Sequence, residues 1–499
     1  MSRRLYLCAA ALSCTLAALV GVGCGGTTHA GVSGEPGAGL IHSGALAYVA
    51  IDSDLDSAQW DQVDELLRKF PAREKLIREV KKALAEEDVD YDRDVKPALG
   101  PEVDIAVVAD RGEDPAFALL TKPDSFDKAR ALVRRFDRSS GDRWVTREVD
   151  GWLAVSHSDA MLDRVLKGAA SDSLADDATF KAAFGELPGD ALAKAYVNGR
   201  QLGEFADTLF GSGAQTTAFG GGAAPFGFDK LDWVAAAATA KADGVRFEAG
   251  VKGESGSRLT GAGKPYESKL ISGIPADALA FLSFRGSSLG RQLRDLRANP
   301  VFGQGLDEIE KQLGMRLDEV LELFAHEVAF YVRRGAGLPE FSLVLETPDT
   351  EAALTTLDRL ANRVARLVGA RVGEDREAGV AVKTLTIRPV TIRWAGFDGR
   401  VLLTTGPTAI SDYRDSGAKL ADDSEYKHAL DAAGAPDETA GLLYVNLHDG
   451  VRLIENYLGL AGEKMPPEVA ANLKPLQSLV VYNSTSGDLS KVVAFLEIK

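Results

Sequence analysis

Leu174-Ala175-Asp176-Asp177, followed 22 residues on by Tyr196-Val197-Asn198, comes back as Leu420-Ala421-Asp422-Asp423 and Tyr444-Val445-Asn446, 246 and 248 positions later. A near-constant offset across two separated words points to an internal duplication. Other words keep the same order: Ala45-Leu46-Ala47-Tyr48 with Ala278-Leu279-Ala280-Phe281, Glu102-Val103 with Glu327-Val328, and Thr121-Lys122-Pro123-Asp124 with Glu346-Thr347-Pro348-Asp349. At 499 residues the chain exceeds the size at which one hydrophobic core stops growing. The reading is two homologous tandem units, 45–252 and 273–499, joined by a Gly- and Ser-rich linker over 253–272.

In the first unit, Ala45 to Ile51 is a short apolar run suited to a buried strand. Gln59 to Phe70 and Arg73 to Leu84 have helical spacing, and Pro71 ends the first helix by removing a donor. Val103 to Ala109 and Ala116 to Thr121 read as strands. Pro123-Asp124 then opens a helix to Phe136, with Pro in the first turn, where its missing N–H costs nothing. Trp144 to Val149 and Trp152 to Ser156 flank Asp150-Gly151, a pair that accepts the positive φ of a tight hairpin turn. A strand from Ala191 to Val197, a helix to Phe210, and a hairpin of Trp233 to Ala240 with Val245 to Val251 complete the unit. The second half repeats this course from Ala278 to Phe284, through a helix to Val368 and the Asp398-Gly399 turn, to Leu479–Asn483 and Val492–Ile498. Hairpin-linked strands interrupted by helices predict an α+β fold, each unit a largely antiparallel sheet with helices packed on one face.

The N-terminus speaks about location. Arg3 and Arg4 precede an apolar stretch from Leu5 to Val22, the pattern of a signal peptide over residues 1–23. Gly21-Val22-Gly23-Cys24 resembles the lipobox of bacterial lipoproteins, with Gly21 where Leu is usual, which makes Cys24 the expected lipidation site. Cys8 and Cys14 fall inside the signal peptide, so Cys24 is left without a disulfide partner, and lipidation gives an odd cysteine a role. Ser2-Arg3-Arg4-Leu5-Tyr6-Leu7 also resembles the twin-arginine export motif. Residues 24–44 read as the lipidated Cys and a flexible Gly-, Ser- and Thr-rich tether reaching about 25 Å. The expected place is outside the cytoplasm, on the outer face of a bacterial cytoplasmic membrane, held there through the N-terminal lipid.

Composition agrees with a soluble body. Hydrophobic residues make up 45% and charged residues 26%, so global disorder is excluded. A net charge of -16 repels nucleic acid and anionic membrane surfaces.

The Cys24 tether, the Ala-Leu-Ala-Tyr strand, the Asp94-Val95-Lys96-Pro97-Ala98-Leu99-Gly100 segment and the Tyr-Val-Asn strand together resemble actinobacterial lipoproteins of the domain-of-unknown-function family 3352. That resemblance covers almost the whole mature chain. It implies an envelope location and brings no catalytic residues with it.

The duplication filters the chemical motifs. Gly286-Ser287-Ser288-Leu289-Gly290 has the spacing of a nucleophile elbow, but the partner half carries Ser53-Asp54-Leu55-Asp56-Ser57 there and the predicted sheet is not parallel. His326-Glu327-Val328-Ala329-Phe330 starts like a zinc-protease helix and ends in Phe where a second His must stand. Asp88, Asp90 and Asp92 imitate the start of a calcium loop, yet Arg93 replaces the required Gly and Leu99 the bidentate Glu. Gly261-Ala262-Gly263-Lys264-Pro265 fails as a phosphate loop because Pro follows the Lys.

What remains is a Gly-rich stretch, Gly211 to Phe228, carrying Phe219, Phe226 and Phe228. These three are the candidates for contact with an apolar ligand or the bilayer. The expectation is an exported, lipid-anchored envelope protein that binds or scaffolds rather than catalyses, with no metal and no cofactor and with an apolar small molecule or an envelope protein as partner. The alternatives are a carrier or sensor of an apolar ligand or lipid, using the cleft between the halves or the aromatic loop, and, further off, a serine esterase at Ser288.

Overall fold

The structure, a computed structural model, describes residues 31–499 except 33, 87, 111–113, 141–142, 167–170, 211–229, 255–262, 288–289, 291–292, 295–296, 298–299 and 461. Cys24, Phe219, Phe226, Phe228 and Ser288 lie outside the described residues.

The first half contributes β1 (Ala47–Asp52), β2 (Glu102–Val108), β3 (Ala116–Thr121), β4 (Val145–Val149), β5 (Trp152–Ser156), β6 (Ala193–Asn198), β7 (Leu231–Lys241) and β8 (Gly244–Gly253). The second contributes β9 (Ala280–Arg285), β10 (Glu327–Arg333), β11 (Glu340–Glu346), β12 (Val372–Glu377), β13 (Val380–Ile387), β14 (Val390–Phe397), β15 (Arg400–Thr404), β16 (Gly441–Asn446), β17 (Leu476–Ser486) and β18 (Leu489–Ile498). Among the described residues these form one 18-stranded sheet, antiparallel at every pairing. Spatially the first half runs β4-β5-β3-β2-β1-β6-β7-β8. The second half runs outward from its own last strand as β18-β17-β16-β9-β10-β11-β15-β14-β13-β12. Both halves follow the same course, and they meet where β8 pairs with β18 from Gly244↔Glu497 to Lys252↔Leu489. The fold is therefore α+β with a single antiparallel sheet.

The quoted words mark the points that hold each half together. Leu174 and Leu420 are buried in short 3₁₀ turns, and their N–H groups donate to Ile41 O at 2.7 Å and Ile274 O at 2.9 Å. Asp177 and Asp423 cap the helices that follow, Ala178–Gly185 and Ser424–Ala433, by accepting from the N–H groups of Phe180 and Tyr426. Tyr196 and Tyr444 are buried and meet Phe180 and Tyr426 edge-on, with centroids 5.2 and 5.0 Å apart. Asn198 and Asn446 accept from the N–H groups of Gln201 and Asp449 and so start the next helices. The Asp150-Gly151 and Asp398-Gly399 turns have positive φ at both residues, the conformation their sequences demand.

Three expectations need correction. Residues 31–32 and 34–44, read as part of the tether, are packed: Val32, Ala38 and Ile41 are buried and Val32 N–H donates to Ala191 O. The linker does the same work in the second half. Tyr266 N–H donates to Thr439 O, and Tyr266, Leu270 and Ile274 are buried. Isolated bridges His42↔Ser173 and Pro275↔Lys419 complete the match, so tether and linker are two lead-in arms. Glycine content hid this, because composition reports flexibility of the free chain and not what backbone N–H groups find once folded. Third, β12 and β13 are an extra hairpin of the second half. Val372–Glu377 reads Val-Gly-Glu-Asp-Arg-Glu, mostly exposed, without the apolar alternation that announces a strand.

Candidate functional site

Side chains alternate across a strand, so the register sorts the whole sheet into two faces. One face carries Tyr48, Ala106, Tyr196 and Ala235 in the first half and Phe281, Ala329, Tyr444 and Val480 in the second, all buried. Helices Asp159–Leu166 and Ala178–Gly185 cover it in one half, Ala409–Arg414 and Ser424–Ala433 in the other.

The opposite face departs from the usual antiparallel pattern, in which the uncovered side is polar. It carries apolar side chains on every strand from β2 to β10, interrupted by Ser490 and Asn483 near the centre. Val49 lies opposite Ile105 and Ala195, Ala236 opposite Ala249, Ala249 opposite Val492, Val481 opposite Leu443, and Leu282 opposite Leu443 and Phe330. These side chains are only half-buried, and at the centre Phe247 and Val492 are 53% and 41% exposed. The face is closed at its two ends by equivalent helices. Phe126–Ser140 packs on Leu153 and Val155, and Thr350–Val368 packs on Leu345 and Val401. Helix Ala58–Arg68 crosses one border through Leu66, against Ala240, Val245 and Leu496. Between these borders the face is ten strands wide, roughly 45 Å at ordinary strand spacing; helices Gly199–Phe210 and Leu447–Leu460 also pack against β6–β7 and β16–β17, and among the described residues Phe247 and Val492 stay exposed on the central strands. Exposed Phe247 and Val492 side by side on an apolar face make these central strands the candidate ligand or partner site.

The cleft between the halves is a different place. A cavity of about 480 Å³ sits at the β8–β18 seam on the helix-covered side, lined among others by Lys241, Asp243, Arg246, Glu248 and Phe495. Arg246 of β8 donates to the Ala433 carbonyl at the end of helix Ser424–Ala433 and to Tyr482 Oη at 3.1 Å. From β18, Lys491 pairs with Glu186 at 2.6 Å, at the end of helix Ala178–Gly185. Each half's last strand thus places a cation at the C-terminus of a helix in the other half, where the helix dipole favours it. The seam is charged and crossed by these contacts, so it suits an apolar ligand less well than the open face does.

Buried acids form the second notable cluster. Glu327 opens β10 fully buried and accepts from Ser268 Oγ at 2.5 Å, Lys269 N–H at 2.9 Å, Leu270 N–H at 3.3 Å and Ser283 Oγ at 3.2 Å. Glu102 opens β2 in the same way but accepts from Gly34 N–H at 3.4 Å, and burial raises its pKa. Asp52 pairs with it across the ladder, and its pKa is pushed by burial to about 6. Glu327, beside His326, anchors the second lead-in arm. Among the described residues no group of His, Cys, Asp and Glu is arranged to hold a metal ion. His157 stacks on Trp144, centroids 4.1 Å apart, and His428 meets Glu497 at 3.0 Å. Asp90 caps a π-helical turn, Tyr91–Val95, through the would-be calcium loop by accepting from Arg93 N–H.

The open face was missed in the sequence, although a signal existed. Trp233-Val234-Ala235-Ala236-Ala237-Ala238 has no polar residue on either parity, whereas a strand with one solvated face alternates.

Fold and site define an α+β protein with one antiparallel sheet that carries apolar side chains on both faces. The chain belongs to the family described as Protein of unknown function (DUF3352), whose model matches residues 8–498. No curated protein matches it by sequence. Among solved structures it is similar to TP0453 in crystal form IV, at 13% identity and a TM-score of 0.25, covering 46% of this chain and 81% of that one. The form III structure of TP0453 gives 11% identity and a TM-score of 0.25, covering 45% and 78%.

Proposed function

We propose that the protein is a lipoprotein built from two homologous tandem units, exported and held at the outer face of a bacterial cytoplasmic membrane through Cys24, and that it binds acyl chains on its open sheet face. The observation that carries the reading is the ten-strand apolar face with Phe247 and Val492 exposed on its central strands. Aliphatic and phenyl side chains offer no acid, base or nucleophile, so such a surface binds rather than catalyses. Length supports an acyl occupant over a small one, because a face of roughly 45 Å accommodates an extended lipid chain.

The leash supports it too. Gly31 is packed against Ala191 and Gln59, beside the border where helix Ala58–Arg68 crosses the face. From Cys24 to Gly31 the chain spans at most about 25 Å when fully extended. Lipid on Cys24 therefore keeps that border close to the bilayer from which an acyl chain would come.

Native mass spectrometry of the protein purified from its own membranes tests this. Wild type is expected to carry a lipid adduct that Phe247→Glu/Val492→Glu loses. Lipid-free wild type, or an adduct retained undiminished by the variant, refutes acyl binding on this face, and a co-purified envelope protein in the lipid's place would favour a scaffold. Processing of the N-terminus that is indifferent to an inhibitor of lipoprotein signal peptidase would remove the anchor at Cys24.

A further inference from the structure

Asp104 lies on the helix-covered side of β2, fully buried; neither carboxyl oxygen meets a donor in good geometry, and the polar groups within reach are the Tyr48 hydroxyl and the Glu102 carboxyl. Gly37 of the first lead-in arm rests on it so closely that a Cβ at that position would fall 1.6 Å from Oδ2. The Tyr48 hydroxyl beside it donates to Gly34 O at 2.7 Å, while Gly34 N–H reaches back to Glu102. The titratable groups around Asp104 are Glu102 on its own strand, Tyr48 and Asp52 on β1, and buried Lys194 on β6, which draws Glu102 down a little. Leu120 of β3 and the rings of Phe180 and Phe184 from helix Ala178–Gly185 supply apolar walls, and the arm supplies glycine backbone.

The second half has none of this tension. Phe281 stands where Tyr48 stands and Ala329 where Asp104 stands, and Glu327 is fully hydrogen-bonded. A buried acid without a well-placed donor is costly unless it carries a proton, and two adjacent acids cannot both ionise cheaply. Burial, and then the neighbouring Glu102, hold Asp104 well above the ordinary carboxylate range.

We propose that Asp104 and Glu102 form a proton-operated latch on the first lead-in arm, seating residues 34–41 when the pair holds a proton and loosening them when it is fully ionised. The sign follows from the raised values. A carboxyl whose pKa is higher in the seated state favours that state fully below the ordinary carboxylate range, and the advantage is lost as pH rises through the raised pKa. The arm leads directly to the N-terminal segment bearing Cys24. The latch stands independently of acyl binding.

Amide hydrogen exchange on the full chain tests it, with the second arm as internal control. Between about pH 5 and about pH 8, after division by intrinsic rates, opening of Gly34–Ile41 is expected to rise roughly ten-fold or more, one pKa unit being a factor of ten. Opening of Tyr266–Ile274 is expected to stay constant, and Asp104→Asn to flatten the response of the first arm. Asp104→Ala, which copies Ala329, serves if the amide packs badly. Equal pH responses in the two arms, or the same response in wild type and in the folded Asp104 variant, overturn the latch.

Discussion

The two halves place a glutamate at the same position and use it oppositely. In the second, Glu327 receives two backbone N–H groups and two hydroxyls, and Arg285 stands across the ladder from it with its guanidinium over the Tyr266 ring. In the first, Glu102 receives one long N–H bond, Asp52 stands across the ladder, and Asp104 follows on the same face. Two halves of similar strand course can thus hold a saturated carboxylate in one and a crowded, proton-hungry group in the other. Shape is shared; electrostatics is not.

Removing the carboxylate should separate the halves most sharply. Glu327→Ala strands several buried donors and is expected to cost about 4 kcal/mol in urea unfolding at neutral pH, whereas Glu102→Ala should cost about 1 kcal/mol or less. Similar losses would erase the contrast. Next in size, Leu174→Ala and Leu420→Ala are each expected to cost about 3 kcal/mol, since both leave a cavity under the arm-docking turn. Here the halves should agree, and thermal melts that split them widely would show the repeated words to be unequal in packing.

The third change has the opposite sign. Asp104→Ala is expected to stabilise by about 1 kcal/mol at neutral pH, because it deletes a buried acid without a well-placed donor, and the gain should shrink on acidification. A loss of stability would mean that Asp104 has a partner the fold depends on. The seam sets two cations against each other. Arg246→Ala should cost about 2 kcal/mol and Lys491→Ala under about 1 kcal/mol in calorimetry, because Arg246 is half-buried with three acceptors while Lys491 is a more open ion pair.

Much of this was legible in the chain. The strands at Ala116–Thr121 and Trp152–Ser156 and the turns at Asp150-Gly151 and Asp398-Gly399 follow from local pattern and positive φ, which act over a few residues. The helix after Pro348-Asp349 ends at Val368 as its periodicity says. What escaped depends on partners far away. Backbone groups of β8 meet those of β18 whatever side chains they carry, so the joining of the halves leaves no mark on sequence. The arms at Gly34 and Leu270 are fixed by carboxylates of β2 and β10, 68 and 57 residues further on. The open face needed the register of ten strands before its scattered alanines, valines and leucines became one surface.

The seam has one more property. Its ladder is centred on Glu248↔Val493, two residues that stand equally far from the turn residues Asp243 and Asp488 of their own hairpins. Positions therefore face one another reciprocally, Gly244 opposite Glu497 and its counterpart Leu489 opposite Lys252, as at an isologous dimer contact, where a patch is complementary to itself. The molecule carries such an interface folded into a single polypeptide. Fusion keeps the two edges at a fixed one-to-one ratio and leaves neither free to recruit another sheet, which for an edge of this length is a guard against aggregation.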